Sequence, residues 1–427
     1  MKMVSKFALS AALIVGLNGA AFVAPAIAKK KEEAPAAPSL SKEARAAAVA
    51  AQTALAATPK DIAGAETALN TLDTVAKSDY ERYLSQGLRL SLVNAQTKGQ
   101  SDAQRVPLLI PILDAIIANP ATPKEEIGRR YLERGGLAYA MKKYPDALTY
   151  LQRARQLGTT DANLSLQIAQ AKVETGDVKG GVAEIGTAIA AEKAAGRKAP
   201  EEWYKYAFTR LGKAGDQEGT DTWTAAWLTD YGTPANWRGA IYTFGFQGAA
   251  AVKYSKNKID LYRLLWATKS QAGQREYIDY ADAALTIGLP NEAKTVVEEG
   301  LSSGTIPAGN VTGNELLARA KTGIAGSSPL AVKEKNALAG AKGDLAQQAG
   351  DAYLGVRNYA KAIEMYRLCE TKGAPDADRN NLRLGMALAL SGDREGAKVA
   401  LARVTNEPNK AIARLWTVFV TTPPTAA

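Results

Sequence analysis

A spacing of twelve residues between small side chains recurs five times and is the strongest constraint on how this chain folds. Each pair brackets two amphipathic stretches joined by a short turn. Two antiparallel helices need small residues where their backbones approach most closely, so the spacing predicts a stack of helical hairpins packed at these positions. The five pairs are Gly135–Ala147, Ala169–Gly181, Ala281–Ala293, Gly350–Ala362 and Gly385–Ala397.

The residue usage favours helices throughout. The chain has 427 residues, of which 46% are hydrophobic and 7% aromatic, within the range of folded proteins. Alanine is abundant, and it forms helices best because it loses no side-chain entropy. Alternating runs of β-branched residues are scarce. We therefore expect an all-α fold, an α–α superhelix or solenoid of antiparallel helical hairpins with almost no sheet.

The first 28 residues have the pattern of a secretory signal peptide. Lys2 and Lys6 supply a basic start, and residues 7–17 form an apolar stretch. Ala26 and Ala28 form a small-x-small cleavage site, so we expect cleavage after Ala28. The pattern predicts a periplasmic protein; a secreted or peripherally envelope-associated protein remains an alternative. No later stretch approaches the roughly 18 apolar residues of a membrane span.

Two residue counts bear on the chemistry. The chain contains no histidine, which excludes histidine-based triads, histidine-ligated metals and histidine proton shuttles. Cys369 is the single cysteine, so no internal disulfide can form; it lies on an apolar helix stripe and is expected to be buried. No group of residues resembles a catalytic, cofactor or metal site, so we expect a non-enzymatic protein without a cofactor.

The net charge of +10 is spread along the chain rather than concentrated in one block. A nucleic-acid partner would need a concentrated basic stripe, so we expect none. The scattered excess is compatible with an anionic polymer of the cell envelope, or simply with a basic solvated surface.

The chain is expected to have five segments. Residues 1–28 are the signal peptide, 29–41 a flexible linker rich in proline and charge, 42–120 degenerate helical hairpins, 121–420 the repeat superhelix and 421–427 a disordered tail. Ser39 or Ser41 is placed to cap the first helix. In the fourth helix, Pro107 and Pro111 predict a late start or a kink.

The best-defined hairpins carry a family pattern. The strongest unit has Gly350 in its first helix and Ala362 and Tyr366 in its second, and segments 131–154 and 384–401 repeat this arrangement. These units resemble the tetratricopeptide repeat (TPR), a 34-residue helix–turn–helix unit. The resemblance implies a superhelix whose first helices line a concave face that binds extended peptides or partner helices.

One version of the family clamps a C-terminal carboxylate through an asparagine that follows the small residue of the first helix. The corresponding positions here are Gly136, Gln170, Asp282, Asp351 and Met386. None is asparagine, so the resemblance does not extend to that clamp.

The segment 203–266 interrupts the regular spacing and holds five of the six tryptophans. Large rings either fill gaps between poorly matched hairpins or present a binding patch. The loop 231–238 has turn chemistry and is the part most expected to be exposed. The candidate partner-binding residues are Trp203, Trp223, Trp227, Trp237, Arg238 and Trp266.

These features predict an exported scaffold or adaptor that binds protein or peptide partners in the cell envelope. One alternative is a module that binds cell-wall glycan or another envelope polymer through the aromatic segment. A weaker alternative is a carboxylate-based hydrolase of envelope material. Exposed tryptophans in a groove would favour the glycan, and two acids facing each other across a cleft would favour the hydrolase.

Overall fold

The computed structural model describes residues 39–161 and 163–422. Across these residues the chain forms 22 α-helices and no β-strand, which confirms the all-α prediction. The expected cleavage site at Ala26 and Ala28, the linker up to residue 38 and the tail from residue 423 lie outside the described residues. Within the described ranges, no helix combines the length and the apolar character that crossing a membrane requires.

The chain divides into two units between Glu184 and Ile185, inside the eighth helix. The helices up to this point are α1 (Lys42–Ala56), α2 (Ile62–Val75), α3 (Asp79–Gln96), α4 (Asp102–Ala118), α5 (Lys124–Ala140), α6 (Tyr144–Gln156), α7 (Leu164–Glu174) and α8 (Val178–Ala194). In this first unit α1 pairs with α2, α3 with α4, and α5 with α6.

The second unit holds the remaining helices. They are α9 (Glu201–Lys213), α10 (Gln217–Tyr231), α11 (Pro234–Ile241), α12 (Gly248–Lys253), α13 (Lys258–Ala267), α14 (Gln274–Thr286), α15 (Pro290–Ser302), α16 (Val311–Ala325), α17 (Leu330–Ala339), α18 (Asp344–Gly355), α19 (Tyr359–Thr371), α20 (Ala377–Ser391), α21 (Arg394–Ala402) and α22 (Asn409–Thr421). The hairpins here are α9–α10, α14–α15, α18–α19 and α20–α21.

Short polar side chains start many of these helices. Ser41 caps α1 and Asp61 caps α2, each accepting a hydrogen bond from a backbone N–H of the first turn. Asn358 and Asp393 do the same for the second helices of the two strongest hairpins. The turn before Asp393 depends on Gly392, whose φ of 94° lies in the left-handed region that glycine tolerates.

The hairpins pack where the small residues lie, and all ten of these residues are buried. A Cβ on Gly135 would lie 2.7 Å from Cγ of Leu151, sixteen residues further along, and one on Gly350 would lie 2.7 Å from the Tyr366 ring. In the pair Ala169–Gly181 the contact is direct, because a Cβ on Gly181 would lie 2.7 Å from the Ala169 carbonyl oxygen. The missing side chains are what allow the two helices to approach.

The expected disruption of α4 is wrong as to its start. The helix begins at Asp102, ahead of both prolines, and continues through Pro107 and Pro111. The side chain of Gln104 accepts a hydrogen bond from the Ser101 backbone N–H at 3.1 Å, which supports the first turn upstream of the prolines. Burial of the apolar face of α4 compensates for the N–H groups that the prolines lack.

Two parts of the second unit are not regular hairpins. After α10 the chain forms α11, a π-helical turn over Tyr242–Phe246, the short α12 and a 3₁₀ turn over Ser255–Asn257 before α13. Short elements therefore stand between the hairpins α9–α10 and α14–α15. Further on, α16 packs mainly against α14 and α15, whereas α17 packs mainly against α18.

The last helix folds back within the second unit. Besides α21, α22 contacts α20, α13 and α10, the last of these far away in sequence. Trp416 of α22 is fully buried, and its indole N–H donates to the Asp260 carbonyl oxygen at 3.4 Å. This unit is therefore held by contacts that a simple linear stack of neighbours does not contain.

Candidate functional site

The aromatic segment is mostly interior. Trp203 and Trp227 are 4% and 7% exposed, and Trp237 is fully buried. The expectation that 231–238 is exposed is wrong for Trp237, because Thr233 caps α11 and the helix carries the indole into the core. The indole N–H of Trp227 is used internally, donating to the Glu201 carboxylate at 2.9 Å.

The other three candidates are partly accessible. Arg238 donates to the Glu276 carboxylate, with Nε at 2.9 Å from Oε1. Trp223 and Trp266 are half-buried, and the guanidinium of Arg357 lies 4.1 Å from the centre of the Trp266 ring. In the part of the chain that the structure describes, no ring contact joins two of the five tryptophans, so they do not form one aromatic surface. Partner binding by these residues remains a prediction.

A polar hollow lies in the second unit, beside the end of the aromatic segment. It consists of two adjoining cavities, a larger one of about 430 Å³ and a smaller one of about 300 Å³. Both are lined by Lys256 and Ile287, which makes them neighbours. Rings of the irregular segment, Tyr242 and Phe246, line the larger cavity, and the start of α15 lines the smaller one. We refer to the two cavities together as the hollow.

First helices of three hairpins form much of its wall. On each helix the lining positions recur at spacings of three or four residues, some with an adjacent residue, so each helix contributes a single face. They include Asp282 and Thr286 of α14, Gln348 and Ala352 of α18, and Arg379 and Arg383 of α20. All three are first helices of their hairpins, the helices through which the family resemblance implies partner binding.

A charged network adjoins the smaller cavity, which three of its members line. The network consists of Asp260, Arg263, Glu292, Asp351 and Arg383, and the last three line the cavity. All five residues are less than 10% exposed. Arg263 holds the Glu292 carboxylate with two hydrogen bonds, of 2.8 Å from Nε and 2.7 Å from Nη2. Arg383 donates to Asp351 at 2.6 Å and to both carboxylate oxygens of Asp260 at 3.1 and 3.2 Å. These are paired, hydrogen-bonded charges, the form in which charge is tolerated in a protein interior.

Two tyrosines complete the network, and burial and pairing set its protonation states. Tyr280 donates to Glu292 and Tyr366 to Asp351, each at 2.7 Å. Burial raises the pKa of both tyrosines well above their usual value, and the neighbouring carboxylates raise it further. Burial, the largest single influence, would raise the pKa of Asp351, but the attraction of Arg383, Arg263 and Arg379 and the hydrogen bond from Tyr366 together lower that pKa. Asp351 is therefore held as a carboxylate.

The sequence interpretation did not identify this network. Arg263 and Arg383 each lie in a run of leucines, the former in LYRLLW and the latter in NLRLGM. A charged residue inside an apolar helix stripe indicates a buried ion pair, and this pattern could have pointed to the network. The partners could not be named, because Arg383 and Asp260 are 123 residues apart.

The small residues packed between paired helices give this chain a fold of helical hairpins, which confirms the resemblance to the TPR at the level of the fold. No family model matches the sequence, and no curated protein matches it.

Three solved structures are among those similar to this chain. The TPR2AB-domain:pHSP90 complex of yeast Sti1 is 12% identical with a TM-score of 0.25, covering 70% of this chain and 99% of that one. The apo form of the quorum sensor NprR from B. thuringiensis is 14% identical with a TM-score of 0.30, covering 77% and 98%. Naa15/Naa10 bound to HypK-THB is 14% identical with a TM-score of 0.20, covering 86% and 69%. Similarities of this size carry no conclusion about function.

Proposed function

We propose that this chain is a non-enzymatic scaffold that is exported to the cell envelope and binds protein or peptide partners through the hollow. The observation that carries the proposal is the wall of the hollow, formed by one face each of α14, α18 and α20. Clefts between helices that combine apolar contacts with a few placed polar groups suit peptide recognition. Buried charges adjoining the wall support it by fixing the positions of the helices that carry it.

A site-specific crosslinking experiment tests the binding surface. A photo-crosslinking residue would replace Thr286, which is exposed and lines the larger cavity. The control would replace Val399, which is 58% exposed and lies on α21, a second helix. We expect a discrete set of envelope proteins, identified by mass spectrometry, to be captured from position 286 and not from 399. Equal capture at both positions, or none at 286, would contradict the proposal.

Export is tested separately. We expect the amino terminus of the exported protein to be Lys29, since Ala26 and Ala28 fit the cleavage pattern. Replacing Ala28 with tyrosine, which is too large for that pattern, should leave a longer precursor. Cytoplasmic retention of the unmodified chain would argue against the envelope setting and leave the binding surface to be judged by the crosslinking result.

No observation favours the two alternatives. The burial of Trp203, Trp227 and Trp237 removes most of the ring surface that a glycan would stack on. Glu292 and Asp351 both line the smaller cavity, but each is held by an arginine. A glycoside hydrolase needs one acid with a raised pKa, whereas the pKa of Asp351 is lowered.

A further inference from the structure

The smaller cavity contains positively charged side chains that form no ion pair within the described residues. Lys256, Lys333 and Arg379 all line it. No carboxylate lies within ion-pair distance of any of the three among residues 39–161 and 163–422. The cavity is of a size that holds a small ligand or one group of a larger one.

The acidic groups of the same cavity are already compensated. Glu292 forms its ion pair with Arg263 at 2.7 Å, and Asp351 forms its own with Arg383 at 2.6 Å. The charged network as a whole carries one more carboxylate than guanidinium, and Arg379 lies close enough to Asp351 to lower its pKa. If the positive charge of Arg379 is set against this one extra carboxylate, the charges of Lys256 and Lys333 still have no opposite charge to balance them.

The first turn of α15 adds donors to the cavity. Leu289, Pro290 and Asn291 line it, and they are the cap and the first two residues of this 13-residue helix. Leu289 has no side chain that can accept from the free N–H groups of the first turn, and no capping hydrogen bond is formed. Glu292 does not fold back to cap them, because its carboxylate binds Arg263 and Tyr280. An uncapped helix start favours an anion.

Arg379 has a donor to spare. Its Nη2 donates to Gln347 at 2.7 Å, but its Nε is buried and has no hydrogen-bond partner. Planar guanidinium groups are well suited to the oxygens of a carboxylate or phosphate.

We propose that the smaller cavity is a binding site for an oxyanion, a carboxylate or a phosphate group, held by Lys256, Lys333, Arg379 and the first turn of α15. Oxyanion binding is a property additional to the proposed partner binding, and it does not require that proposal to be correct. The group can come from a free small anion or from an acidic side chain of a peptide, because the same oxygens would meet the same donors.

Calorimetric titration of the full chain with two probes tests the site: inorganic phosphate, and a hexaglutamate peptide capped at both ends. The variant is Lys256→Gln with Lys333→Gln; Lys256 is exposed and Lys333 half-buried, so neither supports the core. The matched control is Lys321→Gln with Lys335→Gln, which removes the same charge from exposed positions outside the cavity. Circular dichroism checks that each variant is folded, and Lys333→Gln alone replaces the double variant if that one is not.

We expect the cavity variant to bind the effective probe about tenfold more weakly or worse, the size expected when a charge-assisted hydrogen bond is lost. The control should bind within about twofold of the unmodified chain, since neither of its lysines lines the cavity. If phosphate binds and its binding is weakened in the cavity variant, a free anion is sufficient as a ligand. If only the peptide behaves in this way, acidic side chains are the source of the oxyanion. Failure of both probes to bind, or an equal loss in variant and control, would overturn the proposal.

Discussion

At the scale of single residues, Arg383 connects two helices of the second unit. It is 4% exposed and joins two carboxylates that come from different helices, Asp260 of α13 and Asp351 of α18. A buried ion pair gains little over an apolar pair of the same shape, but removing one partner leaves an uncompensated buried charge. The stability of this unit therefore depends on the network staying complete.

Replacing Arg383 with methionine keeps the volume and removes the charge. We expect the free energy of unfolding to fall by about 3–5 kcal/mol, because Asp351 is left buried without its ion-pair partner and Asp260 keeps only Arg263, at 2.9 Å. Urea denaturation followed by circular dichroism measures it. The control is Arg403→Met, which breaks an exposed pair with Glu370 of 3.2 Å and should cost less than about 1 kcal/mol. Equal losses in the two variants would contradict the role given to Arg383.

At the scale of the helical elements, two adjacent glycines have different structural roles. Gly135 and Gly136 are adjacent in α5, yet a Cβ on Gly135 would lie 2.7 Å from Leu151 whereas one on Gly136 would meet nothing within 4 Å.

The start of α3 at Ser78 is connected to the start of another helix. There the Glu81 carboxylate reaches three backbone N–H groups, one of them at the start of α1.

The two glycines give a matched pair of substitutions. Gly136→Ala should stabilise the protein by about 0.5–1 kcal/mol, since alanine restricts the unfolded chain and favours helix. Gly135→Ala should destabilise it by about 1–3 kcal/mol, because the new methyl group overpacks the contact with Leu151. Thermal and urea denaturation of both variants measure the difference. Changes of the same sign would mean that α5 and α6 do not pack through Gly135.

Glu81 predicts a specific dependence on pH. Hydrogen bonds from the Ser41, Lys77 and Ser78 backbones lower its pKa from the usual 4.5 to about 2. Because the folded pKa is lowered, its stabilisation is fully present above about pH 4.5 and is lost as the pH falls toward 2. We expect Glu81→Gln to lower the thermal midpoint at pH 7, with the gap to the unmodified chain closing between these two values.

The control for Glu81 is Glu66→Gln, which changes an exposed carboxylate within α2. It should leave the thermal midpoint nearly unchanged at every pH, because the Glu66 side chain forms only a weak contact of 3.5 Å with Gln96. A gap for Glu81→Gln that stayed constant from pH 7 down to pH 2 would show that its carboxylate does not hold the helix starts together.

At the scale of the whole molecule, the second unit departs from a linear stack. In an ideal repeat protein each hairpin contacts only its neighbours, and loss of the last helix frays only that end. Here α22 contacts α10 as well as α20, and Trp416 reaches Asp260, a member of the charged network. The opening of this unit should therefore be more cooperative than a linear array predicts.

Replacing Trp416 with alanine tests that cooperativity. We expect a loss of about 3–5 kcal/mol, the usual cost of removing a buried tryptophan. Hydrogen exchange should show reduced protection in α10 together with α20, since both helices pack on α22. Val399→Ala, at a position 58% exposed, should change neither. Unchanged protection of α10 in the Trp416 variant would indicate a linear stack after all.

Local patterns were sufficient for much of the fold. The helices, their caps at Ser41 and Asp61, and the small residues at the hairpin contacts all depend on neighbours a few residues away or on a regular spacing. Burial of Cys369 follows from the apolar stripe on which it lies, and the structure confirms it. Such features are visible in the chain because they are set by contacts within one helix or one hairpin.

An all-α chain of helical hairpins could therefore be read from the amino-acid sequence, because small residues and caps act locally. The burial of Trp237, the contact of Arg383 with Asp260 across 123 residues and the shared cavity of Lys256 and Lys333 became visible only in the folded chain. Pairing between distant charges depends on how successive helices are placed in space. That placement is the sum of many hairpin contacts, so no local pattern contains it.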